Sequence, residues 1–398
     1  MIKIITGVRR SGKSYLLFNL FADWLKDNEV DTGHIICIDL EDRRNIALRD
    51  PDALLSYIDS KMVDDKMYYI LMDEIQLVAE FEDVLNSYLK IENADIYVTG
   101  SNARFLSKDV ITTFRGRGEE IRVYPLNFRE FMSATDKSVE SAFEEYMTYG
   151  GLPQVLKYNL ETQKSEYLKS LFEKTYITDI KERYQIKYDE ELEILLDIIS
   201  SNIGALTNPR KLSNTFESEK RVKISDKTIK TYLDYICDSF LVEKAQRYDV
   251  KGKRYIDTPY KYYFTDLGLR NARLNFRQLE KSHIMENIIY NEMRVRGFNV
   301  DVGIVPSFAK NEDGSNKRVN YEIDFVCNRG NQRYYLQSAY RLESYDKIQQ
   351  EKNSLRNVDD SFKKIIIVGY PILVERDNDG ITKISIYDFL LKDNSLEL

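Results

Sequence analysis

Histidine is almost missing: His34 and His283 are the only two in 398 residues. That leaves too little imidazole for histidine-based acid–base catalysis or a transition-metal centre, so any metal belongs to the oxygen-liganded kind. Cysteine is scarce as well. Cys37, Cys237 and Cys327 stand far apart without the paired spacing of a zinc site or a disulfide framework, and they read as reduced packing residues. No stretch of about 18 apolar residues occurs, and residues 1–5 run straight into a strand-like segment instead of a secretory leader. The expectation is a cytoplasmic chain with no membrane partner.

What is present is the composition of a folded protein: 43% hydrophobic residues in short runs and 31% charged residues. The length calls for two or three domains. A net charge of −7 argues against a chain that coats nucleic acid along its whole length. Residues 201–270 depart from that average, with fourteen Lys or Arg against nine Asp or Glu, and form a candidate basic segment.

The fold class is α/β. Residues 2–6, 34–40, 68–72, 95–99 and 119–124 read as strands, and the pieces between them, such as 14–26, place apolar residues at helical spacing. Near-continuous apolar strands alternating with helices predict a parallel sheet covered on both faces. Residues 136–200 turn helical and charged, broken at Gly150, Gly151, Leu152 and Pro153. Two short helical patterns and a Tyr-rich hairpin, with Gly252 at its turn, fill 201–270. A helix over 283–296 and strands at 321–326, 333–340 and 364–368 follow, with a polar loop at 310–317. The predicted domains are 1–135, 136–200, 201–272 and 273–398.

Gly7, Val8, Arg9, Arg10, Ser11, Gly12, Lys13 and Ser14 spell GxxxxGKS directly after an apolar strand and before a helix that continues through Tyr15. Each piece has a task. The glycines let backbone N–H groups turn toward phosphate oxygens, and the helix adds the positive end of its dipole. Lys13 suits the β- and γ-phosphates, and the Ser14 hydroxyl suits Mg²⁺. Some 60 residues on, Tyr69–Met72 form an apolar strand that delivers Asp73 and Glu74 to its C-terminal edge, with Gln76 close behind. Asp73 fits a role in holding Mg²⁺ and Glu74 one in polarising the attacking water.

Two further positions have two readings each. Asn102, with Ser101 as its understudy, follows the strand 95–99 and suits either a γ-phosphate contact or a turn that tolerates left-handed backbone. Arg115 and Arg117, in the segment FRGRG, suit either an arginine finger reaching a neighbouring subunit of a homo-oligomer or a solvated basic loop.

With GVRRSGKS, YYILMDEIQ, TGSN, RGRGEEIRVYPLNFREF and YGGLPQVL in place, the chain resembles a large prokaryotic family of AAA-type ATPases with a C-terminal domain of unknown function. The resemblance implies ATP and Mg²⁺ as cofactors. It also implies a winged helix followed by a restriction-endonuclease-like fold in the C-terminal half. Residues 201–270 agree with the first: a helix at 211–216, a second from Asp226 capped by Ser225 and carrying Lys227 and Lys230, and a wing with Lys251, Lys253 and Arg254. Such a module binds double-stranded DNA through helix and wing, or else a protein.

For the last domain the resemblance implies Glu286, Asp324 and the pair Gln337 and Ala339 as counterparts of a nuclease site. An amide stands where the metal-binding carboxylate belongs and an alanine where the lysine belongs, so a degenerate scaffold is expected. Lys347, a few residues past the strand, is the lysine near enough in sequence to substitute. The implied function is Mg²⁺-dependent ATP hydrolysis coupled to movement of the C-terminal domains, with DNA contacted. The alternatives are a slow nucleotide-switched scaffold for a protein partner and an ATP-regulated nuclease.

Overall fold

The computed structural model describes residues 1–100, 118–186, 189–221, 223–310, 316–342 and 344–398. Ser101, Asn102, Arg115 and Arg117 lie outside the described residues, as do 311–315 of the loop expected at 310–317. The chain divides into two compact units, one of Met1–Pro125 with Cys237–Phe240 and one of Leu126–Ile236 with Leu241–Leu398.

The first unit is built on five parallel strands, β1 (Ile2–Thr6), β2 (Ile35–Asp39), β3 (Tyr68–Asp73), β4 (Ala94–Thr99) and β5 (Gly118–Arg122), in the order β2-β3-β4-β1-β5. The inner strands β1, β3 and β4 are largely apolar on both sides because helices cover both faces, whereas the outermost strands β2 and β5 leave residues exposed. On one face Ile4, Ile38, Ile70, Met72 and Val98 pack with Leu54 and Ile58 of α2 (Pro51–Lys61) and Val84, Leu85 and Tyr88 of α3 (Phe81–Tyr88). On the other, Ile5 and Leu71 meet Leu17 and Ala22 of the helix α1, whose successive segments are Lys13–Tyr15, Leu16–Phe21 and Ala22–Asp27. Asp50 fixes the start of α2 by accepting from the Ala53 amide, with Pro51 in the first turn where its missing N–H costs nothing.

Strand order positions the site. β4 lies between β1 and β3, with Ile5 beside Thr99 and Met72 beside Val98. The last residue of β4 therefore sits between the glycine-rich loop after β1 and the acidic pair after β3.

The second unit begins with helices, among them α4 (Val139–Tyr149), and includes most of α5 (Asp226–Asp238). The strands are β6 (Val242–Asp249), β7 (Arg254–Phe264), β8 (Asn299–Lys310), β9 (Asn316–Arg329), β10 (Gln332–Ala339), β11 (Lys363–Val368), β12 (Glu375–Arg376) and β13 (Ile381–Ser385). They form one mixed sheet in the order β12-β13-β11-β10-β9-β8-β6-β7. The hairpin read from sequence as a wing is thus the edge of the large sheet, because β6 pairs in parallel with β8 through Arg247 and Val302. Residue 272 does not separate two sheets. Pro259 lies within β7, which is tolerated because β7 is an outermost strand.

The helices α6 (Leu267–Arg273) and α7 (Lys281–Val295) follow β7, and α8 (Tyr345–Arg356) follows β10. Asn287 of α7 holds the end of β7, accepting from the Phe264 amide at 2.8 Å and donating to its carbonyl at 2.8 Å. The Gly150–Gly151 break closes on Asp266, whose buried carboxylate accepts from the Gly151 amide at 2.8 Å and caps α6 through the Leu269 amide at 3.0 Å. One cysteine reading needs correction: Cys327 is buried in the sheet, but Cys37 is exposed, because alternate residues of β2 face outward.

Candidate active site

The loop 7–14 has three positions in the region that favours glycine, Arg10 at φ 64° and the two glycines. Gly7 has φ 144° and lies so close to the Val123 carbonyl that a Cβ would come within 2.0 Å of that oxygen. Gly12 has φ 101° and leads into α1, with the Leu16 amide returning to its carbonyl at 2.8 Å. Inside this turn Lys13 is buried, and its ammonium donates to the carbonyls of Gly7 at 3.0 Å and Val8 at 3.2 Å. Burial lowers its pKa, while Glu74 and Asp73 act in the opposite direction. The Ser11 hydroxyl is buried with no hydrogen-bond partner. A buried lysine resting on carbonyls and an orphaned hydroxyl fit a site that receives an anion. Ser14 and Tyr15 are exposed at the start of α1.

Thr99, which sequence reasoning passed over, ties the acidic end of β3 together. Its hydroxyl donates to Asp73 and accepts from the Glu74 amide at 3.0 Å. The Glu74 backbone is left-handed at φ 52°, uncommon outside glycine, and the Thr99 bond to its amide helps to fix that turn. Gln76 donates to the Glu74 carboxylate. Burial raises the Glu74 pKa, opposed chiefly by Lys13. A carboxylate of raised basicity two strands away from an anion cradle is suited to general-base work. The signal for Thr99 was available: it is a polar residue ending an apolar strand.

A model of an AAA domain matches residues 1–132, and one of a domain of unknown function (DUF8612) matches residues 140–280. An uncharacterized protein of Haemophilus influenzae is 34% identical over 397 residues, 98% of this chain and 94% of its own length. An uncharacterized protein of Methanocaldococcus jannaschii is 30% identical over 413 residues, spanning 100% of this chain and 86% of its own. The chain belongs to this AAA-domain family. Nucleotide binding and hydrolysis is the general activity that goes with the domain. Among solved structures, Cdc6p from Pyrobaculum aerophilum is 11% identical with a TM-score of 0.28, over 72% of this chain and 88% of that one. The Aeropyrum pernix Orc1 protein, solved in complex with DNA, is 13% identical with a TM-score of 0.25, over 68% and 86%. Scores this low carry no argument about the present chain.

In the second unit of this AAA-domain protein, Glu286 on α7, Asp324 on β9 and Gln337 on β10 converge. The Gln337 side-chain oxygen accepts from the Asp324 amide at 3.4 Å, and its amide group donates to Glu351 at 2.8 Å. The Ser338 amide donates to the Asp324 carboxylate at 2.8 Å. Lys347 pairs with Glu351 at 2.6 Å. The lysine among the other carboxylates is Lys261 of β7, at 2.9 Å from Glu286, 2.8 Å from Glu322 and 3.9 Å from Asp324. Sequence spacing had pointed to Lys347. The clue that could have found Lys261 is a lysine set in the aromatic run of residues 260–264.

Lys227, Lys230, Lys251, Lys253 and Arg254 are all exposed. Lys251 lies 3.7 Å from Asp359 and Arg254 3.8 Å from Asp249, loose pairs that leave both cations open to solvent. No helix of the described residues is long and apolar enough to cross a membrane.

Proposed function

We propose that the protein binds ATP with Mg²⁺ in the loop 7–14 and hydrolyses it, and that turnover moves the C-terminal unit while it contacts double-stranded DNA. The observation that carries the first part is the buried Lys13 and the unpartnered Ser11 hydroxyl facing into a glycine-shaped loop, with Asp73 and Glu74 linked through Thr99. Lys13 leaves its carbonyl partners for the β- and γ-phosphates, and the backbone donors of residues 9–14 close around them. Ser14 and Asp73 would hold Mg²⁺, which when bound neutralises charge on the phosphate oxygens. Glu74 takes the proton of the attacking water, helped by its raised basicity, and Thr99 keeps the Glu74 backbone and the Asp73 carboxylate in register while Gln76 holds the Glu74 carboxylate. Asn102 as a γ-phosphate contact and Arg115 or Arg117 as a finger in a homo-oligomer complete the reading. DNA contact rests on the exposed cations of α5 and the β6–β7 turn.

Titration with a fluorescent ATP analogue, paired with phosphate release, tests the assignment. Lys13→Ala should weaken binding by about a hundredfold or more, because a charge and an orienting contact disappear together. Glu74→Gln should bind as the wild type does and lose turnover by roughly 10²- to 10⁴-fold. Wild-type turnover in the Glu74 variant ends its role as the base.

A further inference from the structure

One cluster of carboxylates in the second unit draws on three elements: buried Glu286 from α7, half-buried Glu322 and buried Asp324 from β9, with Glu351 of α8 reaching the same group through Gln337. Oxygens of the first three lie at 2.9, 2.8 and 3.9 Å from one point, the Lys261 ammonium. The Lys261 side chain is almost wholly buried, at 4% exposure, and Tyr263 donates to Glu286 at 2.7 Å. Burial works against the charge on Lys261, but Glu286, Asp324 and Glu322 outweigh it and hold the amine protonated. Asp324 is pushed well above the usual carboxyl range, by burial first and by Glu286 next.

We propose that Lys261 is a tethered cation occupying the place that a divalent metal ion would take among these carboxylates, which makes the cluster a closed, metal-independent site. Several carboxylates gathered around one point need a positive charge at that point, and a free ion or a side chain can supply it. Here the side chain is delivered by an outermost strand whose end Asn287 holds in place. Among the described residues no group of three or more His, Cys, Asp or Glu is arranged to hold a metal. The proposal does not depend on the nucleotide reading, since it concerns the other unit alone.

Removing the ammonium leaves a cavity lined by acidic oxygens, which a hard divalent cation can fill. Mn²⁺ is the probe, titrated without nucleotide onto the full chain by electron paramagnetic resonance, with thermal melting in parallel. Wild type should bind no Mn²⁺ at this cluster, and its melting temperature should not respond to the ion. Lys261→Ala should melt roughly 10 °C lower, bind one Mn²⁺ per chain in the millimolar range or tighter, and regain part of the lost melting temperature with Mn²⁺. Adding Glu286→Gln to that variant should abolish the new binding. If Lys261→Ala does not fold, the double variant Lys261→Met with Glu286→Gln, which removes one charge of each sign, should fold and bind no Mn²⁺. Mn²⁺ binding to wild type that Asp324→Asn removes would overturn the proposal. So would a Lys261→Ala protein that fails to bind Mn²⁺, whether or not its stability falls.

Discussion

Lys13 and Lys261 are both buried lysines, one in each unit, and their surroundings pull them in opposite directions. Lys13 rests on two carbonyl oxygens, and burial lowers its pKa. Lys261 is met by three carboxylates that raise its pKa. A buried cation hydrogen-bonded only to carbonyls, where the pull of nearby carboxylates does not offset burial, is under-compensated and gains by meeting an anion. A buried cation with its full set of carboxylates has nothing to gain from one. The difference separates a site poised for a ligand from a site already satisfied by its own fold, although both contain the same residue type.

If the contrast holds, substitutions in the second unit's buried polar groups change stability, and those in the first unit's site change turnover. The largest effect is expected at Asp266. Asp266→Ala leaves the Gly151 and Leu269 amides without their acceptor and should cost about 3 kcal/mol or more in chemical denaturation. The wild type offers a finer test. Burial pushes the Asp266 carboxyl up to about 6, against the backbone amides that hold its charge. The folded state therefore binds this proton more tightly than the unfolded chain. That contribution is fully present below the unfolded pKa of about 4 and is lost as pH rises through about 6. Denaturation across this window should show the corresponding slope in the wild type and not in Asp266→Ala; equal slopes would remove Asp266 from the account.

A smaller effect is expected at Thr99, where the contrast predicts lost turnover. Thr99→Val removes both the bond to Asp73 and the acceptor for the Glu74 amide, and should slow phosphate release by about tenfold, the weight of one well-placed hydrogen bond. Thr99→Ser keeps the hydroxyl and should recover most of the rate. A serine variant as slow as valine would place the effect in packing.

The smallest effect concerns exposed charge. Replacing Lys251, Lys253 and Arg254 together should leave melting and basal turnover unchanged. It should flatten the salt dependence of DNA binding by roughly one counterion per lost phosphate contact. Unchanged affinity and slope would free this turn from the DNA reading.

The first unit was legible in sequence almost strand by strand. Four of its five strands are short apolar runs bounded by polar residues, so the observed limits fall within a residue or two of those read from residues 2–6, 34–40, 68–72 and 95–99. The glycine positions of the loop 7–14 were legible for the same local reason. The membership of β6 and β7 in the large sheet was not, because it depends on Arg247 meeting Val302, a pairing that no local pattern encodes. The role of Thr99 was not legible either, because a hydroxyl ending an apolar strand meets Asp73 and the Glu74 amide only through the strand order β3-β4-β1. Nor was that of Lys261, because spacing along β10 points to Lys347, whereas the cluster draws its cation from an outer strand of the same sheet.

β7 joins two features that the sequence kept apart. Arg254 at its solvent end and Lys261 near its buried end ride on one strand, seven residues and roughly 23 Å apart at the rise of an extended chain. β7 is paired to β6 along one side, from Arg254 beside Asp249 to Phe264 beside Val242, and on the other side Tyr260 exchanges backbone hydrogen bonds with Thr207. A slip of β7 by one residue against β6 would turn Lys261 to the opposite face and leave Glu286, Glu322 and Asp324 without their cation, so the register of this edge strand and the charge balance of the cluster stand or fall together.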